Sequence, residues 1–484
     1  MDNKISRKDV ITNLIWRFAE RCGAQGVSFL VSIFLARLLE PSDYGVIGLL
    51  NVFIAIANVF IDGGFGNSLV QKKDSDEVDF SSVFYFSLVL SIILYIILFF
   101  TAPLIAEFYS QPILTNIFRV MSISLLLGSV NTVQRAYVSK KMQFKKFFYS
   151  TLFGTILSAF VGIGMAYKGF GAWALVAQHL TNQFFDTIIL WFTVKWRPVR
   201  KFSLTRMKNM FGYGWKLLCS SIIDTVYNNI HSLIIGKVYT SSDLGYYNKG
   251  RSFPNLIINN INSSIDSVLF PVIANAQENK EEVKGIVRRA IKTSTFVIFP
   301  AMAGLAAISN SLITLVLTEK WLPCVPFLQF CCFTYAFWPI HTANLQAIKA
   351  LGKSDIFLKL EIIKKAIGIS ILVITIPHGL YAMMIGSCFT SILSSFINAF
   401  PNKKLLNYSY FEQIKDIIPT LLLSMVMCLI VLIIGKLKIN LIVILIIQII
   451  VGVFTYILGA KLFRLESFEY GMNIVKKVLK SRKV

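Results

Sequence analysis

Acidic residues are scarce in this 484-residue chain, with 25 Asp and Glu against 48 Lys and Arg, and charged residues of both signs make up only 15%. Soluble domains carry roughly 25% charge, so there is too little polar material here to cover a soluble surface. Nor does any long polar stretch separate the apolar ones, which excludes a soluble enzyme and a soluble domain on a single anchor. Histidine is rarer still, at 4. The seven cysteines (Cys22, Cys219, Cys324, Cys331, Cys332, Cys388 and Cys428) lie in or beside apolar stretches. They lack the CxxC and Cys/His spacings of a metal site and the alternation of a disulfide framework, so they read as packing residues. Nucleophile–base constellations, Walker loops and dinucleotide fingerprints are missing too, which leaves no basis for an enzyme, a metal or an organic cofactor. A cleaved signal peptide is also excluded, because Arg17, Glu20 and Arg21 interrupt the apolar run behind the basic N-terminus.

What the chain has instead is hydrophobicity, at 55%. A helix needs about 20 apolar residues to cross the hydrocarbon. Cutting at charge and Pro/Gly clusters gives fourteen candidate spans, beginning near Asn13, Tyr44, Phe80, Asn116, Phe147, Gly171, Gly212, Pro254, Arg289, Phe327, Phe357, Gly379, Gln413 and Asn440. The net charge of +23 sits in short tracts between these runs, so it reads as a topology signal and not as a nucleic-acid surface. On alternate connections 33 of the 48 Lys and Arg collect, against 6 on the opposite ones. By the positive-inside rule both termini are cytoplasmic.

An internal repeat organises the spans. Shifted by 200 positions, ARLLEPSDYG (36–45) lies over GKVYTSSDLG (236–245), matching Ser42 with Ser242, Asp43 with Asp243 and Gly45 with Gly245. A weaker echo sets GAWALVAQ, from Gly171, over GLYAMMIG, from Gly379. The expected fold is therefore an all-α polytopic membrane protein. It has a six-helix lobe at 1–200, a pseudo-symmetric six-helix lobe at 201–402, and two extra helices with a basic tail at 403–484. Parallel halves related by an axis along the membrane normal are one way transporters place a substrate site at the interface between halves.

Charges at membrane depth are costly and mark functional candidates. Arg17, Glu20, Arg21 and Ser28 recur at helical spacing in the first span. Lys216, Ser220, Asp224 and Asn228 step by four through the seventh, with His231 three further on. The eighth carries Ser252, Asn255, Asn259, Asn262, Ser263 and Asp266 behind Lys249 and Arg251, and the second adds Asn51, Asn58 and Asp62. A hydrated central cavity is expected, in which Arg17, Arg21, Lys216, Lys249 and Arg251 supply positive charge while Asn228, Asn255 and Asn259 bond to hydroxyls. The carboxylates Glu20, Asp62, Asp224 and Asp266 could couple transport to a proton or sodium gradient.

The motifs LARLLEPSDYGVIGL, DGGFGNSLVQKKD, SKKMQFKK, GAWALVAQ and SSDLGYYNKG resemble the polysaccharide flippases of the colanic-acid exporter type, in the multidrug/oligosaccharidyl-lipid/polysaccharide exporter superfamily. The resemblance covers about residues 10 to 400 and is most specific in the first half. It implies a bacterial cytoplasmic-membrane protein that flips an undecaprenyl-diphosphate-linked oligosaccharide to the periplasmic leaflet for O-antigen, capsule or exopolysaccharide synthesis. The pathway's polymerase and glycosyltransferases are candidate partners beside the membrane lipids. Related peptidoglycan-precursor flippases depend on arginines in the first core helix, and Arg17 and Arg21 fall in the matching stretch. The competing reading is a cation-coupled multidrug exporter of the same superfamily. It would favour an acidic, aromatic cavity, whereas the charges here are largely basic.

Overall fold

In lipid every backbone N–H and C=O must be satisfied within its own segment or in a closed barrel, and this chain adopts the helical solution. The computed structural model describes residues 7–62, 69, 75–437 and 439–481, with the side chains of 7–15, 17–22, 209, 213, 214, 216, 217, 264, 267 and 474–481 outside the description. Among the described residues there are seventeen α-helices and two short 3-10 turns. In chain order they are α1 (Arg7–Leu38), α2 (Pro41–Asp62), α3 (Glu77–Phe108), α4 (Ile113–Met121), α5 (Ile123–Lys140), α6 (Phe144–Tyr167), α7 (Ala172–Thr193), α8 (Leu204–Val238) and α9 (Ser241–Asn275). There follow α10 (Lys280–Leu317), α11 (Val325–Ala336), α12 (Trp338–Ala350), α13 (Ser354–Thr375), α14 (Leu380–Leu406), α15 (Tyr410–Ile434), α16 (Leu441–Leu462) and α17 (Glu466–Ser481). Ten helical stretches among the described residues are long and apolar enough to cross a membrane. Each of the fourteen apolar segments lies on a helix. The fourth and tenth are both broken, at Ser122 between α4 and α5 and at Phe337 between α11 and α12.

Helix starts follow local chemistry. Asp76 caps α3 by accepting from the Asp79 N–H at 2.9 Å while Asp79 accepts back from the Asp76 N–H at 3.2 Å, and Ser409 with Glu412 builds the same reciprocal box on α15. The connection ahead of α8 is laid across the first turn of α3: Ser81 accepts from the Val199 N–H at 2.9 Å and Ser82 from the Ser203 N–H at 3.1 Å. Beneath it Phe80, Phe84, Trp196, Met207 and Met210 close an apolar plug.

The chain forms two compact units, Met1–Gly245 and Tyr246–Val484. The first reaches past residue 200 because α8 packs along α2 and α3. Inside the first unit the two copies of the repeated motif touch each other. Asp43 accepts from the Glu40 N–H at 3.0 Å and Asp243 from the Thr240 N–H at 3.1 Å, so each Asp closes the N-terminus of its own helix, α2 or α9. Gly45 and Gly245 then allow the two N-terminal turns to cross. A Cβ on Gly45 would lie 1.8 Å from the Ser241 carbonyl oxygen, and one on Gly245 would lie 1.9 Å from that of Pro41. Backbone cannot yield as a side chain can, so overpacking here is expected at or above the usual cost of about 1–3 kcal/mol. Gly45→Ala and Gly245→Ala should each lower the melting temperature of the purified protein by several degrees, whereas Gly26→Ala, with open space around it, should not. Equal melting temperatures for all three variants would refute the close crossing.

Candidate functional site

In the first unit polar side chains of α2, α5 and α7 converge. On α5 Gly128, Asn131, Thr132 and Arg135 share a face by their spacing of three, four and seven. Thr132 donates from Oγ1 to Asp62 Oδ1 of α2 at 2.9 Å. Asn131 Nδ2 and Arg135 Nη2 both donate to Asp186 Oδ2 of α7, at 2.8 and 2.7 Å. The Asp186 side chain is 5% exposed and that of Arg135 55%. Gly128 leaves the space that Gln183 and Asn58 fill, since a Cβ there would lie 3.0 Å from Gln183 Nε2 and 3.5 Å from Asn58 Oδ1. Gln183 is fixed by donating to the Ser124 carbonyl at 2.8 Å.

The chemistry of this arrangement follows from the donor count. A guanidinium presents five N–H donors in a rigid fork. Asp186 takes part of the Arg135 fork and aims it, and the exposed remainder can meet phosphate oxygens. A buried carboxylate is costly unless paired, so Asp186 and Arg135 hold each other in place.

The second unit repeats the frame with different chemistry. Thr342 of α12 donates from Oγ1 to Asn262 Oδ1 of α9 at 2.9 Å, the counterpart of the Thr132–Asp62 bond. One turn on, Gln346 donates to Asp266 at 2.8 Å. Where the first unit has Asn131 against Asp186, the second has His341 against Asn398, 3.2 Å apart, with Asn344, Asn402 and Gln413 joined by hydrogen bonds of 2.7–3.0 Å behind them. That network is neutral.

The residues expected from the sequence are distributed as follows. Arg17, Glu20, Arg21 and Lys216 lie on helices, but their side chains fall outside the described residues. Asp224, Asn228 and Asn259 are exposed and Asn255 is half-buried. Lys249 is buried with Nζ 5.8 Å from the centre of the Trp321 ring, and Arg251 donates from Nε to the Tyr335 hydroxyl at 2.9 Å. These two cations thus flank Gly250, where α9 presses on the start of α11 with room for no Cβ. Asp62 and Asp266 occupy the paired positions described above. Arg135 and Asp186 were not among the expected site residues. The signal that points to them is the run Gln178, Asn182, Gln183, Asp186 along the sixth span, at helical spacing. Among the described residues no His, Cys, Asp and Glu cluster could hold a metal ion.

A bundle of membrane-length helices with paired charges inside it is the build of an integral membrane transporter. The profile of the family described as polysaccharide biosynthesis protein matches residues 34–326, and the chain belongs to that family. It is 27% identical over 304 residues to the teichuronic acid biosynthesis protein TuaB of Bacillus subtilis (strain 168), a match spanning 62% of each chain. It is 24% identical over 420 residues to the lipopolysaccharide biosynthesis protein WzxC of Escherichia coli (strain K12), covering 85% of this chain and 82% of the relative. Among solved structures, the lipid II flippase MurJ in an inward closed conformation superposes with a TM-score of 0.74 over 93% of this chain and 98% of its own, at 17% identity. An inward-facing multidrug resistance MATE family transporter of the MOP superfamily superposes at 0.60, over 81% and 99%, with 13% identity. At such identities the likeness establishes the fold. The protein is a multi-pass protein of the bacterial inner membrane.

The pairing of Arg135 with Asp186 predicts an order of stabilities. Arg135→Ala strands a buried carboxylate, whereas Asp186→Asn keeps a bond to Asn131 and releases a half-exposed arginine. We expect losses of about 2 kcal/mol for the first, discounted from the usual buried-pair figure for the exposure of Arg135, and about 1 kcal/mol for the second. Thermal unfolding of the two variants and of their double mutant measures this, and the reverse order would contradict it.

Proposed function

We propose that the protein flips an undecaprenyl-diphosphate-linked oligosaccharide unit from the cytoplasmic to the periplasmic leaflet, for a surface polysaccharide. In this reading the chain crosses the membrane fourteen times with both ends cytoplasmic, and access to its polar faces alternates between the two sides. An unshielded diphosphate and sugar chain would cost tens of kcal/mol to bring through hydrocarbon, so a path lined by cations and amides is required. The observation that carries the reading is Arg135, held half-exposed on the membrane-length stretch 113–140 by a buried carboxylate. Lys and Arg neutralise phosphate while Asn, Gln and Thr replace water around sugar hydroxyls. The fold shared with a lipid II flippase and a family named for polysaccharide biosynthesis support it. Arg17 and Arg21 are proposed to act with Arg135 on the diphosphate. Glu20, Asp62, Asp224 and Asp266 are the proposed sites of coupling to a proton or sodium gradient.

Hydrogen bonds to charged groups are worth about 1.5–3 kcal/mol each, so losing one from the translocating state slows transport by roughly tenfold to a hundredfold. In a deletion strain complemented with Arg135→Ala or with Arg17→Ala/Arg21→Ala, surface polysaccharide should fall by at least about tenfold at wild-type protein level. Lipid-linked units should accumulate on the cytoplasmic leaflet. Arg135→Lys, which keeps the charge and loses the fork, should be intermediate. Undiminished export in all three variants would overturn the reading, and a change confined to drug susceptibility would favour the drug-exporter alternative.

A further inference from the structure

Where α10 and α15 begin and α16 ends, the second unit carries a charged pocket of about 420 Å³ that transport of a sugar lipid does not call for. On α10 Lys284, Arg288 and Lys292 are spaced four apart and so form a ladder along one face. Carboxylates from two neighbours meet it. Arg288 grips Asp416 of α15 with two bonds, of 2.8 and 2.6 Å, and the Tyr408 hydroxyl donates to the same carboxylate at 2.8 Å. Lys292 pairs with Glu466 at the start of α17, and Lys284 donates to the Asn407 carbonyl at 2.6 Å while lying 3.9 Å from Glu412. The three acids are thereby consumed by the ladder. Five cationic side chains line the pocket against these three carboxylates. The surplus is Lys415 and Arg464, both exposed.

Two features beyond the surplus charge define what fits. Arg464 stands in the left-handed region, φ 49°, where the chain turns out of α16, so its side chain is presented at the helix end, at the boundary between hydrocarbon and water. Leu462 and Phe463, next to it in the chain, are 71% and 74% exposed, and Phe411, beside the pocket's Glu412 on α15, is 80% exposed. A cationic recess whose lining helices expose aromatic and aliphatic side chains beside it in sequence suits neither a soluble anion nor a peptide. It suits an amphiphile with a phosphate at the head and acyl chains below. Basic pockets between membrane helices on the cytoplasmic side bind anionic lipid headgroups in this way.

We propose that this pocket binds the headgroup of an anionic phospholipid, with the phosphate between Lys415 and Arg464 and the acyl chains against Phe411 and Phe463. The inference rests on the topology proposed above only for the leaflet, which is the cytoplasmic one. The pocket shares no residue with the polar cluster of the first unit, and the lipid it binds is distinct from the proposed cargo.

The test is native mass spectrometry of the full-length protein in detergent, titrated with phosphatidylglycerol or with phosphatidylcholine. Each interfacial cation contributes about fivefold to anionic-lipid affinity. We expect phosphatidylglycerol to bind more tightly than phosphatidylcholine and Lys415→Ala/Arg464→Ala to lose that preference. Lys415→Arg/Arg464→Lys should retain it, as should the control Lys436→Ala in the turn beyond the far end of α15. These variants leave the Arg288–Asp416 and Lys292–Glu466 pairs intact, so folding is preserved. Equal affinity for the two lipids, an unaffected double-alanine variant, or displacement of phosphatidylglycerol by equimolar inorganic phosphate would each overturn the proposal. Because the readout is binding and not export, its failure leaves the flipping reading standing.

Discussion

A charge inside hydrocarbon is costly without a partner, and that constraint shows in the polar pairs inside this protein. Packing alone does not choose a structure here, because lipid tails are as apolar as the leucines and phenylalanines they surround. The polar pairs do. Thr132 on Asp62, Asn131 and Arg135 on Asp186, and Thr342 on Asn262 fix the rotation of α5 and α12 against their neighbours. A helix turned by one residue would break each of these bonds.

The two units share that frame and use it differently. The Thr bond is 2.9 Å in both, but it ends on a carboxylate in the first unit and on an amide in the second. The deeper position carries Asn131 with an arginine-paired Asp186 in one and a His341–Asn398 pair in the other. At this position the first unit presents an arginine–carboxylate pair, and the second a group of neutral side chains joined by hydrogen bonds. An internal repeat explains the common geometry, and divergence at a few positions makes the two units chemically unlike.

Much of this was legible in the residues. Apolar runs located the membrane-length helices, because membrane thickness dictates their length, but not the polar α17 or the breaks at Ser122 and Phe337. The matched motifs at 36–45 and 236–245 marked a crossing that only Gly45 and Gly245 permit, and Gly171 and Gly379 prove to be the positive-φ starts, at 53° and 99°, of corresponding helices α7 and α14. The site was less legible. A polar stripe shows that one side of a helix is special without showing whether it meets a partner helix or an open face. Lys249 and Arg251 headed such a stripe, yet they turn toward Trp321 and Tyr335. Arg135 does not stand out in the sequence because its counter-ion, Asp186, lies 51 positions away on another helix. Pairing across that distance is set by tertiary packing, which periodicity along one segment does not report.

The account stands on whether these intramembrane cations carry a phosphorylated sugar lipid across the bilayer. The most direct measurement is translocation itself. Purified protein is reconstituted in liposomes with a lipid-linked oligosaccharide of labelled sugar, and the fraction reaching an impermeant reagent on the outer face is followed in time. The account predicts exchange far faster than in protein-free liposomes and slowed by roughly tenfold to a hundredfold in Arg135→Ala. Exchange no faster than in empty liposomes, with the protein folded and correctly inserted, would contradict it.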